Sequence, residues 1–317
     1  MSRKTVGMVT SYKTPVQTDW LWHQTPHPFG VWGNIQMLAR APEPDFLLLY
    51  NFHSFKPKPQ KSHWLQRFQS SPTAEEITGH FRGVPKERIV SLLREPPFVE
   101  KLSKRTADYR QAEQYCGYVS GPDDLAPVPA YMPAIWYVNN GFQDLDKAAV
   151  PEKSRPCSWI TSGIDRTANH RKRLAFLELL QGHQLNVDLY GRDLPAWANS
   201  NGAVGNKWHA MAPYYYNLAI ENYADNGWYV SEKLWDALLS WCLPIYYGGA
   251  AADKLLPPGS FLRLPSLDEA GLRYIQDVTA TPDAWYEAKE AIAEARHIIL
   301  HELNLLNWFS EFVQQFD

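Results

Sequence analysis

The chain has 317 residues, enough for two domains, and a composition of 45% hydrophobic and 21% charged residues that is typical of a packed globule. A net charge of −3 gives no reason to expect a nucleic acid or an anionic membrane as partner. The three cysteines are widely spaced, which is not typical of a disulfide framework or of a cysteine-ligated metal site. Their spacing fits a protein of a reducing compartment. Because we find neither a signal-peptide core nor an apolar run of about twenty residues, we predict a cytoplasmic protein without a membrane segment.

The first half of the chain predicts alternating strands and helices. Strands are predicted at residues 5–10, 45–52, 88–93, 115–120 and 131–138, and helices at 34–40 and 98–114. Residues 55–82 are polar, carry Pro and Lys, and have no clear period, so we interpret them as an excursion or a mobile lid.

The segment 19–34, which follows the first strand, is dense in aromatic and hydrogen-bonding side chains. A Pro- and Gly-bearing loop with three Trp and two His cannot bury all of them, so it is a candidate ligand surface. Flat amphipathic rings suit sugars, although a loop packed under its own aromatic residues remains an alternative. The candidates for this ligand surface are Trp20, Trp22, His23, His27 and Trp32.

One carboxylate follows the third predicted strand directly. Glu95 comes after residues 88–93 and is followed by Pro96 and Pro97. Two prolines end a strand and restrict the backbone, so this side chain is positioned at the carboxyl end of the sheet. Taken alone, a salt-bridged surface carboxylate explains the same residue.

The second half repeats the alternation. Strands are predicted at residues 157–162, 186–190, 214–220, 243–247 and 261–264, and helices at 171–183, from Ser231 onward, at 267–276 with a capping box of Ser266 and Glu269, and over 283–316. We place the boundary near residues 149–155, which gives domains 1–150 and 151–317. The carboxyl-terminal helices are long enough to pack back on the first domain.

Polar residues gather where the strand 214–220 ends and the next helix begins. They are Glu221, Asn222, Tyr229, Glu232 and Lys233. A helix amino terminus offers unpaired N–H groups and partial positive charge, which suit a phosphate. Because the helix dipole disfavours a cation there, Lys233 is interpreted as a phosphate ligand rather than a solvated lysine.

Four basic residues lie at the start of the helix 171–183: Arg166, Arg171, Lys172 and Arg173. They are too few for a nucleic-acid surface in an acidic protein, and both a solvated face and an anion site remain open.

The chain lacks the GxGxxG and GxxxxGK[ST] patterns, which disfavours a dinucleotide oxidoreductase and a P-loop enzyme. Asp144 and Asp146 match the Asp-x-Asp of metal-dependent sugar transferases, but a match this short is common by chance.

Together these motifs resemble glycosyltransferase family 10, the α1,3/α1,4-fucosyltransferases. Glu221-Asn222, the run YVSEKL at 229–234 and LPIYYG at 243–248 are similar to the family's F-E-N-S…D-Y-I/V-T-E-K…x-P-V/I-x-x-G signature. The similarity extends to R-x-x-F-x-x-x-L at 173–180, VDLYGR at 187–192, Glu95 and P-x-x-W at 133–136. Ile220 replaces the common Phe, and the loop before Tyr229 is one residue longer.

The resemblance implies an α/β fold of GT-B type, with two Rossmann-like domains facing a cleft and a carboxyl-terminal helical region. It implies an inverting transfer of L-fucose from GDP-fucose to a hydroxyl of an oligosaccharide or glycoconjugate. No cofactor is required on this reading, no metal is bound, and a divalent ion at most stimulates the reaction.

The resemblance also implies roles for individual residues. Arg173 and Lys233 would neutralise the diphosphate, Asn222 and Tyr229 would hold the nucleotide sugar, Glu232 would contact the donor or stabilise positive charge on the sugar, and Glu95 would be the general base. Two alternatives stay open, namely the same fold with another GDP-sugar and a glycan-binding protein without catalysis.

Overall fold

The structure, a computed structural model, describes residues 3–12, 20–53, 55 and 79–316. Most of the excursion predicted at 55–82, residues 56–78, lies outside the described residues. The chain divides into two compact units, one made of Met1–Met132 with Phe309–Asp317 and the other of Pro133–Trp308.

In its described part, the first unit contains a seven-stranded sheet in the order β2-β3-β1-β4-β5-β6-β7. The strands are β1 (Lys4–Thr10), β2 (Val31–Trp32), β3 (Ile35–Met37), β4 (Phe46–Tyr50), β5 (Ile89–Leu92), β6 (Tyr118–Gly121) and β7 (Val128–Pro129). All neighbours run parallel except β2 and β3. Every residue of β4 is buried, as expected for a strand covered on both faces.

Two helices contribute to the core of the first unit. Helix α1 (Leu102–Tyr115) precedes β6 and buries Tyr109 and Ala112 in a cluster that also holds Leu47 and Leu49 of β4. The end of the last helix packs on the same strand, because the rings of Phe309 and Phe316 lie 6.4 and 5.2 Å from the ring of Phe46.

Two expectations for the first half of the chain were wrong. Residues 34–40 do not form a helix, because Gly33 at φ +50° turns the chain and Ile35–Met37 pairs with β1 as a strand. Residues 131–138 form no strand; Ala134 makes only an isolated bridge with Asn304. Pro133 has no N–H to donate to a ladder, which is consistent with the loss of a strand there.

The second unit has a five-stranded sheet that is parallel throughout, in the order β12-β11-β10-β8-β9. Its strands are β8 (Arg155–Ser162), β9 (Val187–Arg192), β10 (Tyr214–Ile220), β11 (Leu243–Tyr247) and β12 (Leu262–Arg263). The predicted bounds of β10 and β11 are confirmed to the residue. The helices are α2 (Phe142–Asp146), α3 (Ala168–Gly182), α4 (Glu232–Leu239), α5 (Ala251–Leu255), α6 (Glu269–Thr279), α7 (Asp283–His297) and α8 (Leu305–Gln314), the last of which continues into the first unit.

Helix caps fix where two of these helices begin. Ser231 caps α4 as predicted, since its hydroxyl accepts from the backbone N–H of Lys233. The capping box expected for α6 was wrong: Asp268 is the cap and accepts from the N–H groups of Ala270 and Gly271. A carboxylate in this position also meets the helix dipole, which a serine hydroxyl does not.

The carboxyl end of α4 is held by Arg296 of α7. This buried guanidinium donates to the carbonyl oxygens of Leu239 and Leu145 and lies 4.4 Å from the ring centroid of Trp241. A cation at the last carbonyls of a helix satisfies its free acceptors and its dipole, so α4 is anchored at the end opposite its polar rim. Within the described part of the chain, no helix is both long and apolar enough to cross a membrane.

Candidate active site

A cavity of about 530 Å³ lies in the second unit at the carboxyl ends of β8, β9 and β10. Parallel α/β sheets place ligand sites at this edge, because the strands end there and the following helices begin. The lining residues are Tyr137, Ile160, Thr161, Ser162, Arg173, Gly191, Arg192, Val204, Gly205, Lys207, Asn222, Glu232 and Lys233. The wall contains four cations and one carboxylate, so it suits an anion.

Behind the start of α4, a buried carboxylate organises the cavity wall. Glu221 follows β10, and its carboxylate accepts from the backbone N–H and the hydroxyl of Ser231, both at 2.7 Å. The Nζ of Lys233 lies 3.3 Å from Glu221 Oε2 and 3.0 Å from Ser231 Oγ. Because the Glu221 side chain has no exposed surface, these contacts hold the Lys233 ammonium at the cavity.

Lys233 keeps its positive charge in this position. Burial disfavours the ammonium, but the carboxylates of Glu232 and Glu221 outweigh that effect, and the pKa of Lys233 is raised. The Nζ of Lys233 lies 3.8 Å from Glu232 Oε1. The nearby charge of Arg173 acts in the opposite direction on the same pKa. The result is a lysine that remains protonated at neutral pH beside a second cation.

Arg173 forms the facing part of this cationic wall. It is buried at 3% exposure, donates at 2.5 Å to the side-chain oxygen of Asn222, and donates to the carbonyls of Ser162 and Ile164. Burial lowers the pKa of Arg173 to about 10, which still leaves the guanidinium charged at neutral pH. Among the described residues no atom accepts from its buried Nε, so this donor is left without a hydrogen bond.

Four of the five residues predicted to bind a donor line one cavity: Arg173, Asn222, Glu232 and Lys233. Tyr229 is not among the lining residues. It is buried, its ring lies 6.3 Å from that of Tyr223, and its N–H donates to the side chain of Asn226. In this structure Tyr229 therefore supports the loop that leads to Ser231.

The remaining residues of the basic cluster make local contacts. Arg171 donates to the carbonyl of Asp165, and Lys172 lies 3.3 Å from the hydroxyl of Tyr247 and 5.6 Å from its ring centroid. Arg166 is exposed. Of the four, Arg173 alone is among the residues that line the described cavity.

Two cations of the cavity wall were not singled out as ligands from the sequence. Arg192 ends β9, so the rule that ligands meet strand ends could have identified it. Lys207 lies in a short 3-10 turn, and its Nζ is 2.6 Å from Asp236 Oδ2. Burial raises the pKa of Asp236 even though Lys207 lowers it. Nothing in the local sequence signals this long-range pair.

Replacing Ser231 by Ala should lower the free energy of unfolding by about 1–3 kcal/mol. The change removes the cap of α4 and one of the hydrogen bonds to the buried Glu221 carboxylate. Urea unfolding followed by circular dichroism measures the effect. Ser231→Thr keeps the hydroxyl and is the matched control; equal stability of Ser231→Ala and the wild type would contradict this account of the rim.

Glu95 lies at the corresponding edge of the sheet in the first unit. It is exposed and follows β5, and the hydroxyl of Tyr12 donates to its Oε1. Asn51 links Tyr12 to the backbone next to Glu95. Its amide nitrogen donates to the Tyr12 hydroxyl at 3.1 Å, and its oxygen accepts from the N–H of Arg94 at 2.5 Å. The ends of β1, β4 and β5 therefore meet at Glu95.

The aromatic segment does not form one uniform surface. The Nε1 of Trp22 donates to the carbonyl of Met37, and Trp20 is half-buried, while His23 and His27 are exposed. Phe29, which the sequence did not single out, is 66% exposed, has φ +60°, and lies 5.8 Å from Trp22.

Trp32 lies at the other end of the sheet. It pairs with Ile35, which pairs with Lys4 at the amino end of β1. Glu95 contacts Tyr12, which follows the carboxyl end of the same strand. A strand of seven residues is about 20 Å long, so the structure separates Trp32 from Glu95.

The two aspartates of the short Asp-x-Asp match belong to helix α2. Asp146 Oδ1 lies 2.8 Å from Nε2 of His301, whose ring packs against Phe142 of the same helix. This contact gives Asp146 a local role in holding α2 against the turn after α7.

Comparisons with known proteins identify part of the chain. Residues 150–287 match the model of "Glycosyltransferase family 10 (fucosyltransferase) C-term". Alpha-(1,3)-fucosyltransferase C of Drosophila melanogaster is 39% identical over 136 residues, which is 42% of this chain and 30% of that protein. GDP-fucose protein O-fucosyltransferase 3 of Xenopus tropicalis is 29% identical over 109 residues, 32% of this chain and 22% of that protein. The matches thus span less than a third of the length of these relatives.

Among solved structures, an α,α-trehalose-phosphate synthase (UDP-forming) from Burkholderia vietnamiensis matches with a TM-score of 0.55 and 11% identity, over 99% of this chain and 97% of that one. At this identity the match reports the fold alone, and it confirms the predicted GT-B-like α/β class. The family match covers the whole cavity wall except Tyr137. Residues 150–287 therefore resemble the carboxyl-terminal domain of the glycosyltransferase family 10 fucosyltransferases, as the sequence motifs predicted.

Proposed function

We propose that this protein is an inverting fucosyltransferase that moves L-fucose from GDP-fucose to a hydroxyl of an oligosaccharide or glycoconjugate. The observation that carries the proposal is the cavity at the strand ends of the second unit, in which Arg173 and Lys233 provide two fixed cations. A nucleotide sugar carries two negative charges on its diphosphate, and charge-assisted hydrogen bonds to such oxygens are the strong ones. The two curated relatives carry fucosyltransferase names, and one name includes GDP-fucose.

The proposed donor contacts follow from which polar residues line the cavity. Arg173 offers its guanidinium, Lys233 its ammonium, and the N–H groups at the start of α4 offer further donors. Asn222, bonded to Arg173, would orient that guanidinium and reach the nucleotide sugar. Arg192 and Lys207 add positive charge along the same wall. Glu232 would contact the sugar. Tyr229, which the resemblance implies holds the nucleotide sugar, would act indirectly by supporting the loop that leads to Ser231.

The proposed reaction is a single displacement with Glu95 as the general base. The acceptor oxygen bonds to the anomeric carbon and its proton passes to the Glu95 carboxylate, while the bond from that carbon to the diphosphate oxygen breaks and GDP leaves. Charge grows on the departing diphosphate, and preorganised cations stabilise it without reorganisation. Arg173 and Lys233 are proposed to supply this stabilisation with no metal required, so activity should persist in EDTA, with divalent ions at most stimulating it.

The acceptor is proposed to be a glycan rather than a nucleic acid, bound in part by the aromatic segment of the first unit. Of its five candidates, His23 and His27 are exposed and can hydrogen-bond to sugar hydroxyls. Trp20 and Trp22 keep the acceptor role as a prediction from the sequence, whereas Trp32 lies at the end of the sheet opposite Glu95. The cytoplasmic location also stays a prediction.

The proposed donor makes a direct prediction: GDP and GDP-fucose should stabilise the protein against heat, whereas UDP should not. A ligand at one hundred times its Kd stabilises the folded state by about 2.7 kcal/mol, an effect that differential scanning fluorimetry detects easily. Stabilisation by UDP and GDP alike would indicate a general diphosphate site.

Transfer is then tested with a glycan array and GDP-fucose, read by mass spectrometry for gain of a deoxyhexose. A parallel array with GDP-mannose distinguishes the sugar. Glycan binding without transfer in either arm would favour the non-catalytic alternative, and transfer from GDP-mannose alone would replace fucose as the donor sugar.

A further inference from the structure

We propose that Tyr12 is a positioning residue for Glu95, held in place by Asn51. This inference rests on the proposed function, because it assigns a role to groups around the proposed base. Tyr12 is far from Glu95 in sequence and belongs to no motif of the fucosyltransferase signature. The structure brings the two side chains into a direct hydrogen bond.

The hydrogen bond has a defined direction. Although the Tyr12 side chain is partly exposed, desolvation of its phenol, followed by the charge of the neighbouring Glu95 carboxylate, raises the pKa of Tyr12. The phenol therefore keeps its proton and donates a hydrogen bond to Glu95 Oε1. One carboxylate oxygen is thereby engaged and oriented, which leaves Oε2 to accept the proton of the acceptor hydroxyl. A general base must be held within hydrogen-bond reach of that proton, so its orientation affects the rate.

Asn51 ties Tyr12 to the backbone beside Glu95. Its side-chain nitrogen donates to the Tyr12 hydroxyl, and its oxygen accepts from the N–H of Arg94, the residue before Glu95. Asn51 is buried and has φ +45°, a left-handed conformation that few residues other than Gly and Asn adopt. Backbone conformations of this kind persist where surrounding contacts hold them, and they cluster at functional sites.

Tyr50 completes the support from the same strand end. Its ring lies 6.3 Å from the ring of Tyr12, and its hydroxyl accepts from Arg94 Nη1 at 3.1 Å. The last residue of β4 and the residue after it therefore contact both Tyr12 and Arg94. Because β4 lies between β1 and β5, residues that follow β1 and β4 support the Glu95 carboxylate at the end of β5.

The test is a double-mutant cycle. Tyr12→Phe removes only the hydroxyl, and we expect kcat to fall about tenfold, with the KM for GDP-fucose and the affinity for GDP unchanged. In a Glu95→Gln background, the same substitution should have no further effect, because a residue that acts through Glu95 has nothing left to position. GDP release from GDP-fucose is measured with water as the acceptor and with the array glycan that is fucosylated to the greatest extent.

Two controls separate positioning from a structural role. Tyr109→Phe removes another phenol of the first unit, one that donates to buried Asp123 at 2.7 Å, and it should lower stability without changing kcat. Asn51→Gly keeps the left-handed backbone but removes both side-chain bonds, and it should reproduce the kcat defect of Tyr12→Phe.

The outcomes are distinct. Wild-type turnover in Tyr12→Phe, or an equal loss of turnover in both backgrounds of the cycle, overturns the assignment of Tyr12 while leaving fucosyl transfer intact. Wild-type turnover in Glu95→Gln removes Glu95 from the proposed mechanism and the positioning role with it.

Discussion

Replacing Glu95 by Gln should lower the rate of transfer at least about 100-fold, since general-base catalysis contributes about 10²–10⁴ to the rate. The carboxamide oxygen can still accept the hydrogen bond from Tyr12, so the local structure is kept. The amide cannot take up the acceptor proton, so only the chemical step is affected. Steady-state kinetics with GDP-fucose measure kcat, and calorimetry should find an unchanged affinity for GDP.

The matched control is Glu113→Gln, which makes the same change on an exposed carboxylate of helix α1 in the same unit. Its turnover and its melting temperature should equal those of the wild type. Should Glu95→Gln turn over as fast as this control, another group must take the proton.

Replacing Lys233 by Ala should have two separable effects. The affinity for GDP should fall about 10- to 100-fold, because a charge-assisted hydrogen bond is worth about 1.5–3 kcal/mol. The free energy of unfolding should also fall, by about 3 kcal/mol, because the buried carboxylate of Glu221 loses its counter-ion. Isothermal calorimetry and urea unfolding measure the two quantities independently.

A second substitution separates these effects. In Lys233→Ala/Glu221→Gln the uncompensated charge is gone, so much of the lost stability should return while the affinity for GDP stays weak. Glu221→Gln alone keeps the ammonium and serves as the control. If the double variant instead recovered GDP binding, Lys233 would support the fold and would not bind the phosphate.

The pairing of Lys233 with Glu221 also explains a feature that looked unfavourable in the sequence. A lysine in the first turn of a helix is opposed by the helix dipole. The structure places a fully buried carboxylate 3.3 Å from its ammonium, and this carboxylate in turn binds the capping Ser231. The sequence marked all three residues as rim residues or caps. It did not indicate that they bond to one another.

Local patterns predicted well wherever short-range physics decides the outcome. The near-continuous apolar run at 214–220 and the apolar run at 243–247 became β10 and β11, because a strand buried on both faces needs mostly apolar residues. The hydroxyl of Ser231 caps α4 for the same kind of local reason. The prediction of a helix at 34–40 failed, since pairing with β1 outweighs a weak local preference.

By itself the sequence determined the parallel α/β character, the resemblance of residues 150–287 to glycosyltransferase family 10, and the rim residues Arg173, Asn222, Glu232 and Lys233. Each of these follows from residue types at fixed spacing, which the chain carries without folding. The tertiary structure alone decided that Lys207 joins the cavity and pairs with Asp236, that Tyr229 is not among the residues lining the described cavity, and that Tyr12 bonds to Glu95. Such contacts depend on strand order and on the distance between segments that are remote in the chain, and no local pattern encodes either quantity.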